Sequence, residues 1–137
     1  MLVTIKNRDI NVIVGMRFLK ELNKRFSIEV EGVPLPFGLQ RLAMSLGQKD
    51  FSVLSDAIYA GSRTGLYKPT IDDIDDYLDN VDYHEYENLA KQLVEEINDS
   101  NATHLQWEDI SKNLLPMDEK PSGAKAKSPT TRKNTKK

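Results

Sequence analysis

Apolar and polar residues alternate at the start of the chain, where Val3 and Ile5 precede a polar turn at Asn7-Arg8-Asp9 and Ile10, Val12 and Val14 follow it. A period of two predicts a β-hairpin. Beyond Gly15, Phe18, Leu19, Leu22 and Phe26 recur on one helical face while Arg17, Lys20, Lys24 and Arg25 fall on the other. That spacing predicts a first helix over about residues 16–26. Alternation returns at Ile28, Val30, Val33 and Leu35 around Glu31-Gly32. Pro34 has no N–H to give a ladder, which confines the stretch to an edge or a short pairing. It reads as a small addition to the first hairpin.

From Pro36 the period is helical. Leu39, Leu42, Ala43 and Leu46 form a stripe over residues 39–46, and Gly47 is placed to end it in the left-handed conformation. Asp50 is placed to cap a third helix over 51–60, with Phe51, Leu54, Ala57 and Ile58 inward, before Gly61 and Gly65 open a loop. Thr70 stands three residues before Asp73, the spacing of a capping box, and Ile71, Ile74, Leu78 and Val81 follow. Asp82 and Glu85 repeat the spacing ahead of a fifth helix over about 84–98, carried by Tyr86, Leu89, Ala90, Leu93, Val94 and Ile97. After the turn cluster Asn98-Asp99-Ser100-Asn101, a short last helix takes Trp107, Ile110 and Leu114, and Pro116 closes it.

Residues 118–137 hold no large apolar side chain, so they cannot offset the entropy of ordering and are expected to be disordered. The predicted fold class is α+β, mainly α: a small N-terminal β-hairpin element and five or six short helices within residues 1–116. A disordered, Lys-rich tail follows over 117–137.

Composition sharpens this picture at three points. The 137 residues include no cysteine, which removes disulfides, thiolate catalysis and cysteine-bound metals. No run of about 18 uncharged apolar residues exists to span a bilayer, and the N-terminus lacks the layout of a secretory signal. The formal net charge of −2 hides a division, since residues 120–137 carry seven Lys/Arg and no acid, leaving twelve bases against twenty-one acids before them.

The densest candidate chemistry is the run Asp72, Asp73, Asp75, Asp76, Asp79, Asp82, Glu85 and Glu87. A calcium loop needs alternating oxygens and a glycine at its sharp turn, whereas these acids interrupt a helical stripe and contain no glycine. They read as a solvated helix face favoured by the helix N-terminus, or as an acidic docking surface at Asp72, Asp75, Asp76 and Asp79. His84 and His104 lie apart with no ligand-type partner, so no metal site is expected. Gly61-Ser62-Arg63-Thr64-Gly65 lacks the lysine of a phosphate loop and follows a helix rather than a strand. No Ser, Thr or Lys stands beside a base in a recognisable pattern, so no catalytic residue and no cofactor are assigned, and the protein is expected not to be an enzyme. Trp107 reads as a core residue, with the alternative that it joins Tyr83 and Tyr86 in a docking patch. The basic tail lacks the aromatics that stack on bases and the body is acidic, which speaks against nucleic acid as a partner.

The order of segments carries more. VTIKNRDINVIV, GMRFLKELNKRF, GLQRLAMSLGQKDFSVLSDAIYAGSR and KPTIDDIDDYLDN, followed by a helix pair and a low-complexity end, resemble the tail assembly chaperones of long-tailed phages (siphophages) of Gram-positive bacteria. The resemblance covers about residues 1–115. It implies a non-enzymatic protein of the host cell cytoplasm, absent from the mature virion, that binds and solubilises the helical tape measure protein and helps recruit tail tube subunits. It also implies a longer form made by ribosomal frameshifting, and it leaves a homo-oligomer open. A membrane is not among the partners expected.

A second reading takes 39–46 and 51–60 as the helix-turn-helix of a small transcriptional or antitoxin-like regulator, since Gly47-Gln48-Lys49-Asp50 has a suitable length. Its recognition helix would carry Asp50 and Asp56 and no base before Arg63, a charge that phosphates repel.

Overall fold

The computed structural model describes residues 1–113, so the tail expected over 117–137 and the place of Leu114 lie outside the described residues. Strands β1 (Leu2–Ile5) and β2 (Arg8–Asn11) pair antiparallel with Val3 opposite Ile10 and Ile5 opposite Arg8. Their two-residue loop is Lys6-Asn7, with φ of 53° and 62°. This is the mirror-image turn whose twist suits a hairpin, and it lies one residue earlier than the polar cluster suggested. Val3, Ile5, Ile10 and Val12 all turn to the core.

Helix α1 (Met16–Arg25) follows, then β3 (Ser27–Val30) and β4 (Val33–Pro36). These two strands pair only with each other, Ile28 opposite Leu35 and Val30 opposite Val33. The expectation that they extend the first hairpin is therefore wrong. Glu31 and Gly32, with φ of 52° and 81°, close the pair locally, and the ten residues of α1 carry the chain away from β1–β2. Among the described residues, the ribbon is anchored at its base. Phe26 packs against the core, the Phe37 amide donates to the Phe26 carbonyl at 3.1 Å, and the Arg41 guanidinium lies 4.9 Å from the Phe26 ring centre.

Helices α2 (Gly38–Gly47), α3 (Val53–Gly61), α4 (Ile71–Asp79), α5 (Tyr83–Asp99) and α6 (His104–Asn113) complete the described body. Helix α3 is the hub, packed on by α1, α2, α4 and α5. Its Val53, Leu54, Ser55, Ala57, Ile58, Ala60 and Gly61 are all buried. A recognition helix must expose a face to the major groove, so this burial excludes the helix-turn-helix reading. The first hairpin seats directly on the end of α3, where the Ile13 amide donates to the Gly61 carbonyl at 2.9 Å. A Cβ at residue 61 would run into the Val12 side chain, so only glycine permits this approach.

Helix α2 ends differently from the expectation at Gly47, which lies inside the helix. The left-handed residue is Lys49, with φ of 60°. Around it the Asp50 amide donates to the Ser45 carbonyl at 2.8 Å and the Lys49 amide to the Leu46 carbonyl at 3.1 Å, the paired bonds of a Schellman motif. A side chain at this position costs on the order of 1 kcal/mol relative to glycine. Lys49→Gly is expected to raise the melting temperature by a few degrees in a calorimetric scan, and an unchanged or lower value would count against this geometry. Asp50 does not cap α3 itself. Its carboxylate accepts from the Ser52 hydroxyl at 2.6 Å and the Ser52 amide at 3.2 Å, closing a turn before the helix begins at Val53.

The caps farther on follow the sequence. Thr70 Oγ1 accepts from the Asp73 amide while the Asp73 carboxylate accepts from the Thr70 amide, and the Asp82 carboxylate accepts from the Glu85 amide at 3.0 Å. Leu89, Leu93 and Ile97 of α5 are buried. Trp107 and Ile110 bring α6 into the same core, where it packs on α2 and α5.

Candidate functional site: a groove between three helices

The turn closed by Asp50 leaves Phe51 half-buried at the start of α3, facing the α4–α5 helical hairpin. A groove of about 570 Å³ opens there. Phe51, Leu78 and Tyr86 supply its apolar lining, Asp50, Asp75 and Asp79 its acidic rim, and Lys49 one cation. The Phe51 ring lies 5.6 Å from that of Tyr86 and 6.2 Å, nearly edge-on, from that of Tyr83, the offset arrangements aromatic rings prefer.

Hydrogen bonds fix these groups. The Tyr86 hydroxyl donates to the Leu78 carbonyl at 2.8 Å, tying α5 to α4. The Ser55 hydroxyl donates to the Asp75 carboxylate, tying α4 to α3. The Tyr83 hydroxyl donates to Glu87 at 2.6 Å, and that bond raises the Tyr83 pKa. The two bonds from Ser52 hold the Asp50 carboxyl below its ordinary range.

The residues expected from sequence thus divide. Asp75, Asp79 and Tyr86 line the groove and Tyr83 adjoins it. Asp76 instead flanks a small cavity with Lys6, Asp73 and Tyr77, and Asp72 is exposed on α4 without a place in either. Trp107 is 2% exposed, so it belongs to the core and not to a docking patch. Asp73 is also committed to structure. Lys6 pairs with it at 2.6 Å, and this contact, followed by the Thr70 amide, lowers its pKa to about 2. The pair joins the first hairpin to α4.

Two features escaped the sequence. Arg63 lies in the loop that lacked phosphate-binding chemistry, and it is a structural clamp. Its guanidinium sits 3.8 Å from the Tyr59 ring centre, donates to the Tyr59 carbonyl at 3.0 Å and also donates to the Pro69 carbonyl, fastening the end of α3 to the approach to α4. The other is the apolar face of the β3–β4 ribbon. Its alternation was visible, but nothing in the pattern told that none of the described elements covers it. Among the described residues no group of three or more His, Asp or Glu could hold a metal ion.

A family model described as phage tail assembly chaperone protein, TAC, matches residues 2–112, all but the first and last of the described residues. The chain belongs to the phage tail assembly chaperone family. No curated protein and no solved structure matches the chain. Family membership makes tail proteins the partners of this chaperone, and among the described residues no helix is long and apolar enough to cross a membrane.

Proposed function

We propose that the chaperone binds the tape measure protein of its phage, keeps that long helical client soluble in the host cytoplasm, and helps gather tail tube subunits around it before leaving the finished particle. The observation that carries this reading beyond the family is the groove, an apolar trough with a charged rim held open by hydrogen bonds between its walls. Such a trough takes the apolar face of an amphipathic helix, with anchors at i, i+3 or i+4. Asp75, Asp79, Tyr83 and Tyr86 are the residues proposed to contact the client, alongside Phe51 and Leu78.

The test is co-expression and pull-down with the tape measure protein of the same phage. Binding is expected to survive a rise in salt from about 0.1 to 0.5 M, because screening acts mainly on exposed charges, and to fall about tenfold in Phe51→Ser. Loss of binding at high salt alone would move the site to the exposed acids Asp72, Asp75, Asp76 and Asp79. No binding under either condition would remove the tape measure protein as the client.

The proposal includes a longer, frame-shifted form. The gene should carry a slippery heptanucleotide within the codons of the last 30 or so residues, where Lys133-Asn134-Thr135-Lys136-Lys137 invites adenine-rich codons. Mass spectrometry of infected cells should then find a minor larger product sharing the peptides of residues 1 to about 110. A single product and no overlapping frame would refute the second form. The segment after the body would serve as a tether for the extension, its reach set by length and charge.

A further inference from the structure

Stability does not account for the acids around the α3–α4–α5 groove. Asp79 is the last residue of α4, where the unpaired carbonyls of a helix end disfavour a carboxylate and favour a cation. That last turn nevertheless holds no base. Asp75 and Asp50 accept from Ser55 and Ser52, neutral donors that orient a carboxylate and leave its charge in place. Among the described residues none of the three acids enters an ion pair, not even with Lys49 in the same lining. They stand on opposite walls. Asp50 borders the start of α3, while Asp75 and Asp79 lie one turn apart on α4 with Leu78 beside them.

The aromatic rings between those walls also lack a cation. Elsewhere on the body Arg8, Arg25, Arg41 and Arg63 lie over the rings of Tyr67, Tyr59 and Phe26. Phe51 meets Tyr83 and Tyr86, and among the described residues no guanidinium or ammonium covers any of these three. Seating a helix in the groove takes water away from the three carboxylates. If the entering helix brings no cation, that lost hydration goes uncompensated and works against binding even where the apolar fit is good. A Lys or Arg beside the apolar stripe reverses the sign, because its methylene stem lies along the aromatic wall while its head reaches the rim. The open ring faces add attraction for the same cation.

We propose that the groove selects amphipathic helices whose apolar stripe is bordered on both sides by Lys or Arg, and rejects those bordered by Asp or Glu. The inference rests on the groove being the client site, and it adds which helices of a long client are taken. Apolar contact supplies most of the affinity, and the rim supplies the choice. The charge of the whole body acts in the same direction at longer range. Residues 1–113 carry twelve Lys/Arg against nineteen Asp/Glu, a balance that draws basic segments in and keeps acidic ones away.

Titration calorimetry of the full chain with three synthetic peptides tests it. Each peptide has about 20 residues, enough to hold a helix, and the same stripe of Leu at i, i+3, i+4 and i+7. The positions bordering the stripe are all Lys, all Gln or all Glu. The Lys peptide is expected to bind about tenfold tighter than the Gln peptide, the effect of two or three half-exposed ion pairs, and the Glu peptide to show no binding. Asp79→Lys should cut the preference for Lys over Gln severalfold while the melting temperature holds or rises, since a cation suits the end of α4. In Phe51→Ser every peptide that binds the parent should bind more weakly. Equal binding of the Lys and Gln peptides, or a Lys preference that Asp79→Lys leaves intact, overturns the inference. If Phe51→Ser still weakens binding in that case, the groove remains the client site and does not choose by charge. A Lys peptide that binds Phe51→Ser as tightly as the parent is held by the acidic surface at large, which overturns the inference and the groove together. Binding of none of the three overturns the inference too, and the pull-down with the tape measure protein then reports on the client independently.

Discussion

Leu93→Asp is expected to unfold the domain or drive it into inclusion bodies. Leu93 is fully buried at the centre of the α5 stripe, between Leu89 and Ile97. A carboxylate there would go unpaired, because the buried Met1 ammonium beside α5 is already held by Glu96 at 2.5 Å, and burying an unpaired charge costs several kcal/mol. Domains of this size hold only about 5–15 kcal/mol in total. Circular dichroism and a thermal melt of the soluble fraction decide the matter. A soluble variant melting cooperatively near the parent temperature would show that this face of α5 is open to solvent.

Trp107→Ala is expected to cost about 3–5 kcal/mol, the range for removing a large aromatic from a packed core. Trp107 is the one tryptophan of the chain and the largest fully buried side chain of the described body, and truncation leaves a cavity between α6 and the helices it joins. In the parent, the indole emission should be that of a dry site and should shift to the red on denaturation in step with the loss of helix. The variant should lose a comparable share of its denaturant midpoint, yet bind client as well per folded molecule, because the indole is not on the surface. Reduced binding with unchanged stability would return Trp107 to a docking role.

Much of this fold was legible because local signals and burial agree. Thr70 and Asp73 form a capping box wherever they stand at this spacing, and the stripe from Tyr86 to Ile97 has one partner-facing side whatever it packs on. The errors arose where the outcome depends on the next element. Gly47 looked like the stop for α2, but the helix ran one residue farther and Lys49 took the left-handed position, because the bonds to Ser45 and Leu46 outweigh the strain of a side chain there. The alternation from Ile28 to Leu35 told which residues share a face and could not tell that none of the described elements covers that face. Of the candidate site, sequence proximity on α4 and α5 placed Asp75, Asp79, Tyr83 and Tyr86 in one neighbourhood. Phe51 joined them only through the packing of α3, and the helical phase of α4 turned Asp76 away from them.

The position of α3 at the hub has a consequence for the synthesis of the chain. Its surfaces are completed by elements from both ends, the first hairpin before it and α5 after it, while α6 closes over α2 and α5 with Trp107 near the end of the described residues. No contiguous stretch emerging early from a ribosome contains a finished core. At about 5–20 residues per second, up to about ten seconds pass between the emergence of α3 and that of α6, and the faces of α2 and α5 that α6 covers stay unmatched until then. A protein whose family shelters other polypeptides therefore passes through an interval in which it needs shelter itself, and that interval ends only when its sixth helix arrives.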